Sequence, residues 1–172
     1  MTLKQLEKEY TTRKLHQTYL RGGLNGLIDL LDVVEKLEED CIEKWTREDV
    51  QLCWDIQEDI FICFAKHTAQ MSFWTPYRNN DFALEPRTAH ISGTSKDFEY
   101  KTMLIFPSKG IAEEMRPDAT FVEIGGGDLY DMSEKLHQDY RDGKDNDIYL
   151  TFFSQTGRKI MFRLDDYSGY VG

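Results

Sequence analysis

The spacing of apolar residues changes character part-way along this chain, and that change limits the fold more than any other feature. Up to about residue 74, apolar side chains recur every three or four positions, the period of a helix with one buried face. From residue 97 onward much of the chain alternates instead, the period of a half-buried strand. Helices first and strands second predict an α+β fold. The expected form is an N-terminal helical part of about three helices, then a small, mostly antiparallel sheet with one or two helices.

In the first part, Leu3, Leu6 and Tyr10 lie at helical spacing, and Arg21-Gly22-Gly23 interrupts the run. Leu24, Leu27, Ile28, Leu31, Val34 and Leu37 then form a wide stripe on a second helix. Thr46 opens a third, its hydroxyl placed to cap the first amides and Glu48 and Asp49 placed at the positive end of the dipole. Val50, Cys53, Ile56, Ile60, Phe61 and Phe64 carry its buried face, which fades near Ser72, and Pro76 bars continuation.

Residues 75–96 show no period and include Pro76, Asn79, Asn80 and Pro86. They read as a connecting loop between a helical subdomain, 1–74, and an α+β sheet subdomain, 97–172, within what can also be one compact domain. Beyond it, 98–106 and 120–124 read as strands, 111–115 as a short helix at best, and 128–141 as a helix. The segments DIYLTFF and RKIMFRL flank SQTG and predict a hairpin, with Ile160, Phe162 and Leu164 on one face. The tail from Asp165 is expected to fray or lie over the surface.

At 172 residues, with 40% hydrophobic and 30% charged residues, the composition is that of a folded chain burying roughly two-thirds of its unfolded surface. No apolar run approaches the ~18 residues of a membrane span, and the first residues lack a signal-peptide core. Cys41, Cys53 and Cys63 are odd in number and form no CxxC. Cys53 and Cys63 fall among apolar neighbours and read as small hydrophobes, and the three together fit a reducing compartment and not a zinc site. A cytoplasmic protein is the expectation.

The net charge is −10, and it is uneven: residues 29–59 hold twelve acids and three bases. Asp29, Asp32, Glu35, Glu39 and Glu43 step by three or four and line one face if the second helix runs through Glu43. Asp32–Lys36 and Asp40–Lys44 are spaced to pair, and the next helix adds Asp55, Glu58 and Asp59. Such a surface repels a phosphate backbone, so direct nucleic-acid binding is disfavoured, and it attracts a basic protein. Clustered carboxylates can also imitate the phosphates that a nuclease expects.

The leading expectation is a non-enzymatic acidic protein that neutralises or regulates a basic partner, a nuclease or another nucleic-acid-handling protein, with no catalytic residue, cofactor or metal of its own. Its general character, small, acidic and without a catalytic motif, is similar to that of toxin immunity proteins and phage-borne inhibitors of host defence nucleases. Other readings stay open. The acids can be a solvated face that keeps the protein soluble, the chain can be a small enzyme or ligand-binding domain with a site near residues 125–127, or it can be an adaptor that oligomerises through its apolar helices.

Glu123-Ile124-Gly125-Gly126-Gly127-Asp128 follows a strand and precedes a helix. It resembles the first motif of the Rossmann-like S-adenosylmethionine methyltransferases, which implies glycines that let the backbone approach a cofactor at a helix N-terminus. The pattern departs at Leu129, where that family has a final glycine, and 45 residues follow Gly127, reading as a helix and a hairpin and not as further βα units. The expected role is therefore a sharp bend, with glycine supplying positive φ and Asp128 capping the helix.

His16, His67, His90 and His137 lie too far apart in sequence for any two to share a helix face. His67 closes an apolar helix, and its nearest role is to the last carbonyls. His90 sits near Ser92 and Ser95. Residues 142–147 have calcium-loop composition without the EF-hand pattern. Asp165 and Asp166, adjacent on a strand end, point to opposite faces. Phe73, Trp74 and Tyr77 are expected in core or interface.

Overall fold

The computed structural model describes residues 2–9, 11–90, 94–129, 131 and 148–171. The chain is α+β and divides into two compact units, Met1–His67 and Thr68–Gly172.

The first unit contains α1 (Leu3–Glu9), α2 (Thr12–Cys41), a 3-10 turn (Ile42–Lys44) and α3 (Arg47–Thr68). Each start has a local cause. Thr2 and Gln5 exchange side-chain bonds with each other's amides, at 3.3 and 2.8 Å, ahead of α1. Thr11 Oγ1 accepts from the Lys14 amide at the start of α2. Thr46 and Asp49 form the same reciprocal box as Thr2 and Gln5, at 3.1 and 3.2 Å.

α2 is a bent helix. Gly23 has φ 61° and ψ −148°, a conformation that only glycine adopts cheaply. The bend is sharp enough that a Cβ on Gly26 would lie 2.9 Å from the Thr18 carbonyl oxygen. The expected interruption at Arg21-Gly22-Gly23 is thus a hinge between an N-terminal arm, 12–22, and a main segment, 24–41. Leu24, Leu27, Ile28, Leu30, Leu31 and Val34 are buried on the main segment, as are Cys53, Ile56, Ile60 and Phe64 on α3. Half-buried Glu38 ties the two helices: its Oε2 accepts from the Gln57 amide group and from Cys53 Sγ at 3.6 Å.

The second unit is built on β1 (Ser72–Arg78), β2 (Asp81–Phe82), β3 (Glu85–His90), β4 (Asp97–Ile105), α4 (Lys109–Met115), β5 (Phe121–Gly125), β6 (Ile148–Phe153), β7 (Lys159–Arg163) and α5 (Leu164–Val171). One sheet runs β2-β1-β5 and the other β3-β4-β6-β7. Trp74 and Phe106 exchange backbone hydrogen bonds at 2.8 Å and stitch the two together. All pairings are antiparallel except β4 with β6. Parallel neighbours need a long crossover, and here it spans α4, β5 and the residues up to 147.

Because β6 is central, it buries both faces. Phe106 and Phe153 stack at 4.8 Å on one side, beneath Ala112 of α4. Phe152 lies on the other, with Phe73, Phe162 and Tyr167 at 5.4 to 5.8 Å. The 148–163 hairpin forms as expected, with Gly157 at φ 79° in its turn.

Three expectations are corrected. Residues 75–96 are not a connecting loop, since they hold most of β1, all of β2 and all of β3. Asn79 and Asn80, at φ 54° and 59°, make a two-residue hairpin turn of the kind that matches strand twist. Pro76 costs nothing at the far end of its pairing with β5, and β3 carries no hydrophobic signal because it is solvated on most of its length. Second, the tail is helical: Leu164 and Tyr167 are buried, and the Tyr167 hydroxyl shares a 3.0 Å hydrogen bond with Thr68. Third, α2 ends at Cys41, so Glu43 belongs to the 3-10 turn. Of the helix expected at 128–141, Asp128, Leu129 and Asp131 are helical, in an element that begins at Gly126, and residues 130 and 132–141 lie outside the described ones.

Candidate functional site

On the main segment of α2, the stripe from Leu24 to Val34 turns inward, and what it leaves outside is acidic. At about 100° per residue, Asp29, Asp32, Glu35 and Glu39 fall within an arc of about 120°. Asp55, Glu58 and Asp59 share an arc of about 100° on α3. All seven, with Glu43 in the intervening turn, are exposed.

The charges act on one another. The Glu35 carboxyl is held above the usual glutamate range by partial burial, then by Asp32 and Glu38. Asp59 is raised by burial and then by Asp55. Lys36 reaches forward to Asp40 at 3.5 Å, and both side chains are largely solvated. Lys44 leaves α-helical spacing with the 3-10 turn, so the expected Asp40–Lys44 pair gives way to this one.

Two features of this surface escape a search for charge alone. Glu38 is acidic but turned to α3, where it raises the Cys53 thiol, itself pushed up to about 11 chiefly by burial. Trp54 stands 53% exposed on α3, one turn from Glu58 and adjacent to Asp55. Its exposure was legible as an aromatic outside the stripe of Cys53, Ile56 and Ile60.

The glycine turn is a packing device. Gly126 donates to the Met71 carbonyl at 2.7 Å, and a Cβ there would lie 1.9 Å from the Thr68 carbonyl oxygen. The backbone of residues 68–71 packs directly against Gly126. None of Gly125, Gly126 and Gly127 has positive φ, so the expected reason for glycine is replaced by close approach. Asp128 is the third residue of the helix, not its cap: Oδ2 accepts from the Gly125 amide at 3.1 Å.

Among the remaining candidates, His90 Nδ1 pairs across the strands with Asp97 Oδ1 at 2.8 Å, an exposed cross-strand contact. His67 meets His16 and not its own helix end: Nε2 lies 3.2 Å from His16 Nδ1. Phe73 is buried, Trp74 joins the cluster around Phe106, and Tyr77 packs edge-on against Phe82. Asp165 and Asp166 are exposed in the first turn of α5. Ser92, His137 and residues 142–147 lie outside the described ones. Among the described residues there is no group of three or more His, Cys, Asp or Glu able to hold a metal, and no helix long and apolar enough to cross a membrane.

The second unit has an open cleft of about 590 Å3 lined by residues that include Tyr77, Arg78, Glu85, Arg116 and Asp118. Its central charges are committed to each other. Arg116 Nε and Nη2 donate to the two Glu85 oxygens at 2.8 and 3.3 Å, and Arg87 joins them. These bonds, Arg116's first, hold the Glu85 carboxyl below the usual range.

Comparisons with family models, with curated proteins and with solved structures find no match for this chain.

Proposed function

We propose that the helical unit is a non-enzymatic docking surface that neutralises or regulates a basic protein, a nuclease or another nucleic-acid-handling protein, through Asp29, Asp32, Glu35, Glu39, Glu43, Asp55, Glu58 and Asp59. The observation that carries this reading is that all eight carboxylates are exposed on α2, the turn and α3, with Glu35 and Asp59 raised in part by like-charged neighbours. Like charges at helical spacing cost a few tenths of a kcal/mol each, and a cationic partner removes that cost on binding. Complementary charge also speeds encounter and rejects wrong partners. Exposed Trp54 adds a rigid aromatic beside the carboxylates, the type of side chain on which binding energy concentrates and on which a partner's arginine or lysine can stack.

The test is recovery of bound protein from the native source at about 50 mM and about 500 mM salt, which separates screened from unscreened contacts. A basic protein held at low salt, lost at high salt, and lost at low salt from Glu35→Lys/Glu39→Lys/Glu43→Lys is the expected result. A partner retained equally by wild type and the reversed variant would falsify the assignment.

A further inference from the structure

A hinge and a two-histidine joint occur in the same stretch of chain. The N-terminal arm of α2, 12–22, is separated from the main segment by Gly23, whose backbone is non-helical. The arm carries His16 and Tyr19 to the end of α3. There His16 Nδ1 lies 3.2 Å from His67 Nε2, with ring planes 13° apart and centroids 5.1 Å apart. That is the geometry of two rings joined edge to edge through one N–H···N bond. Tyr19 stacks face to face on His67, centroids 3.7 Å apart and planes at 14°.

We propose that His16 and His67, with Tyr19 laid on the latter, form a proton-operated latch that holds the Gly23-hinged arm of α2 to the end of α3. One nitrogen of the pair must carry a proton and the other must accept it. With both rings neutral, or with one proton added, the N–H···N bond persists. With both protonated, two N–H groups face each other on two cations and the joint opens.

Other titratable groups lie near the joint on both helices. On α3, Cys63 lies one turn before His67, and Lys66 is adjacent to it and acts on Cys63. On the arm, Lys14 is committed to the Lys8 carbonyl of α1 at 2.9 Å. Burial first, and His16 second, hold the His67 imidazole below its ordinary value of 6.5. The folded state therefore binds fewer protons than the unfolded one as pH falls below that value, and the joint weakens on acidification.

The test follows the His67 ring by NMR in the full chain from about pH 8 to about pH 5. Amide exchange of residues 14–20 is measured in parallel and corrected for its intrinsic pH dependence. The His67 midpoint is expected below that of an unstructured histidine, and it moves up in His16→Gln. Protection of the arm falls about ten-fold or more across the range, while α3 amides between 50 and 60 keep theirs. The fall is absent from His16→Gln/His67→Gln. Arm protection that is flat with pH in the wild type, or that falls equally in the double variant, overturns the latch. So does a His67 midpoint that ignores His16→Gln. The wild-type exchange profile decides the matter even where a variant fails to fold.

Discussion

Single atoms decide several positions here. Thr75 is fully buried, and its Oγ1 has no hydrogen-bond partner, although a buried hydroxyl without one costs about 1–3 kcal/mol. Thr75→Val keeps the shape and removes the polar atom, so urea denaturation should show a gain of about 1 kcal/mol. Thr75→Ser, which keeps the hydroxyl and loses a methyl, should show a loss. Gly126→Ala forces a Cβ into the Thr68 carbonyl and should cost about 2–3 kcal/mol or more, whereas Gly127→Ala, whose Cβ among the described residues meets only Ala69 O at 3.8 Å, should be tolerated. Equal effects of the two would contradict the packing role of that turn. Tyr167 is pushed up to about 12 by burial, with the Thr68 bond opposing. As pH rises past 10 the unfolded chain loses this proton before the folded one does, so stability falls between about pH 10 and about pH 12. Tyr167→Phe should flatten that slope while costing about 1 kcal/mol near neutrality, both readable from denaturation curves.

The elements are governed by their ends. Thr2, Thr11, Thr46 and Ser108 each place a hydroxyl on an amide three residues on, and Asp128 reaches back three to Gly125. One short-range rule therefore starts five helices. Thr46→Ala should lower stability by about 1 kcal/mol in thermal or urea unfolding. Gly22 and Gly23 look alike in the sequence but differ in backbone. Gly23→Ala is expected to destabilise by about 1–3 kcal/mol because φ 61° combined with ψ −148° suits no side chain. Gly22→Ala, in helical conformation with open space around its Cβ, should be neutral or stabilising by up to about 1 kcal/mol. Strand β3 shows the opposite situation, since its pairing with β4 over six residues rests on backbone bonds and leaves little trace in side-chain pattern.

On the scale of the whole molecule, charge and stability pull in opposite directions. If the acidic surface serves a partner, its carboxylates are retained against a local cost. Glu35→Gln should then raise the stability of the free protein by a few tenths of a kcal/mol and weaken the complex. Added salt should likewise raise the melting temperature of the free chain modestly while dissociating the partner. Matching signs for the two effects would argue that the acids only solubilise. How far the surface was legible is clear from its members. Asp29 to Glu39 could be read as one face because α2 keeps its period from Leu24 to Cys41, but the 3-10 turn that shifts Glu43, and the inward rotation of Glu38, depend on how α2 meets α3.

What the sequence determined by itself was whatever acts over three or four residues: helical period, alternation, the Thr46 cap, the SQTG hairpin and the concentration of acid between 29 and 59. These depend on neighbours along the chain, and the α+β class follows from them. Only the tertiary structure decided which distant backbones meet. The approach of Thr68 to Gly126, the parallel β4–β6 pair, the burial of Tyr167 and the joining of His16 to His67 each link residues more than forty positions apart. Contacts of that kind arise from packing and loop closure, which leave no local period to read.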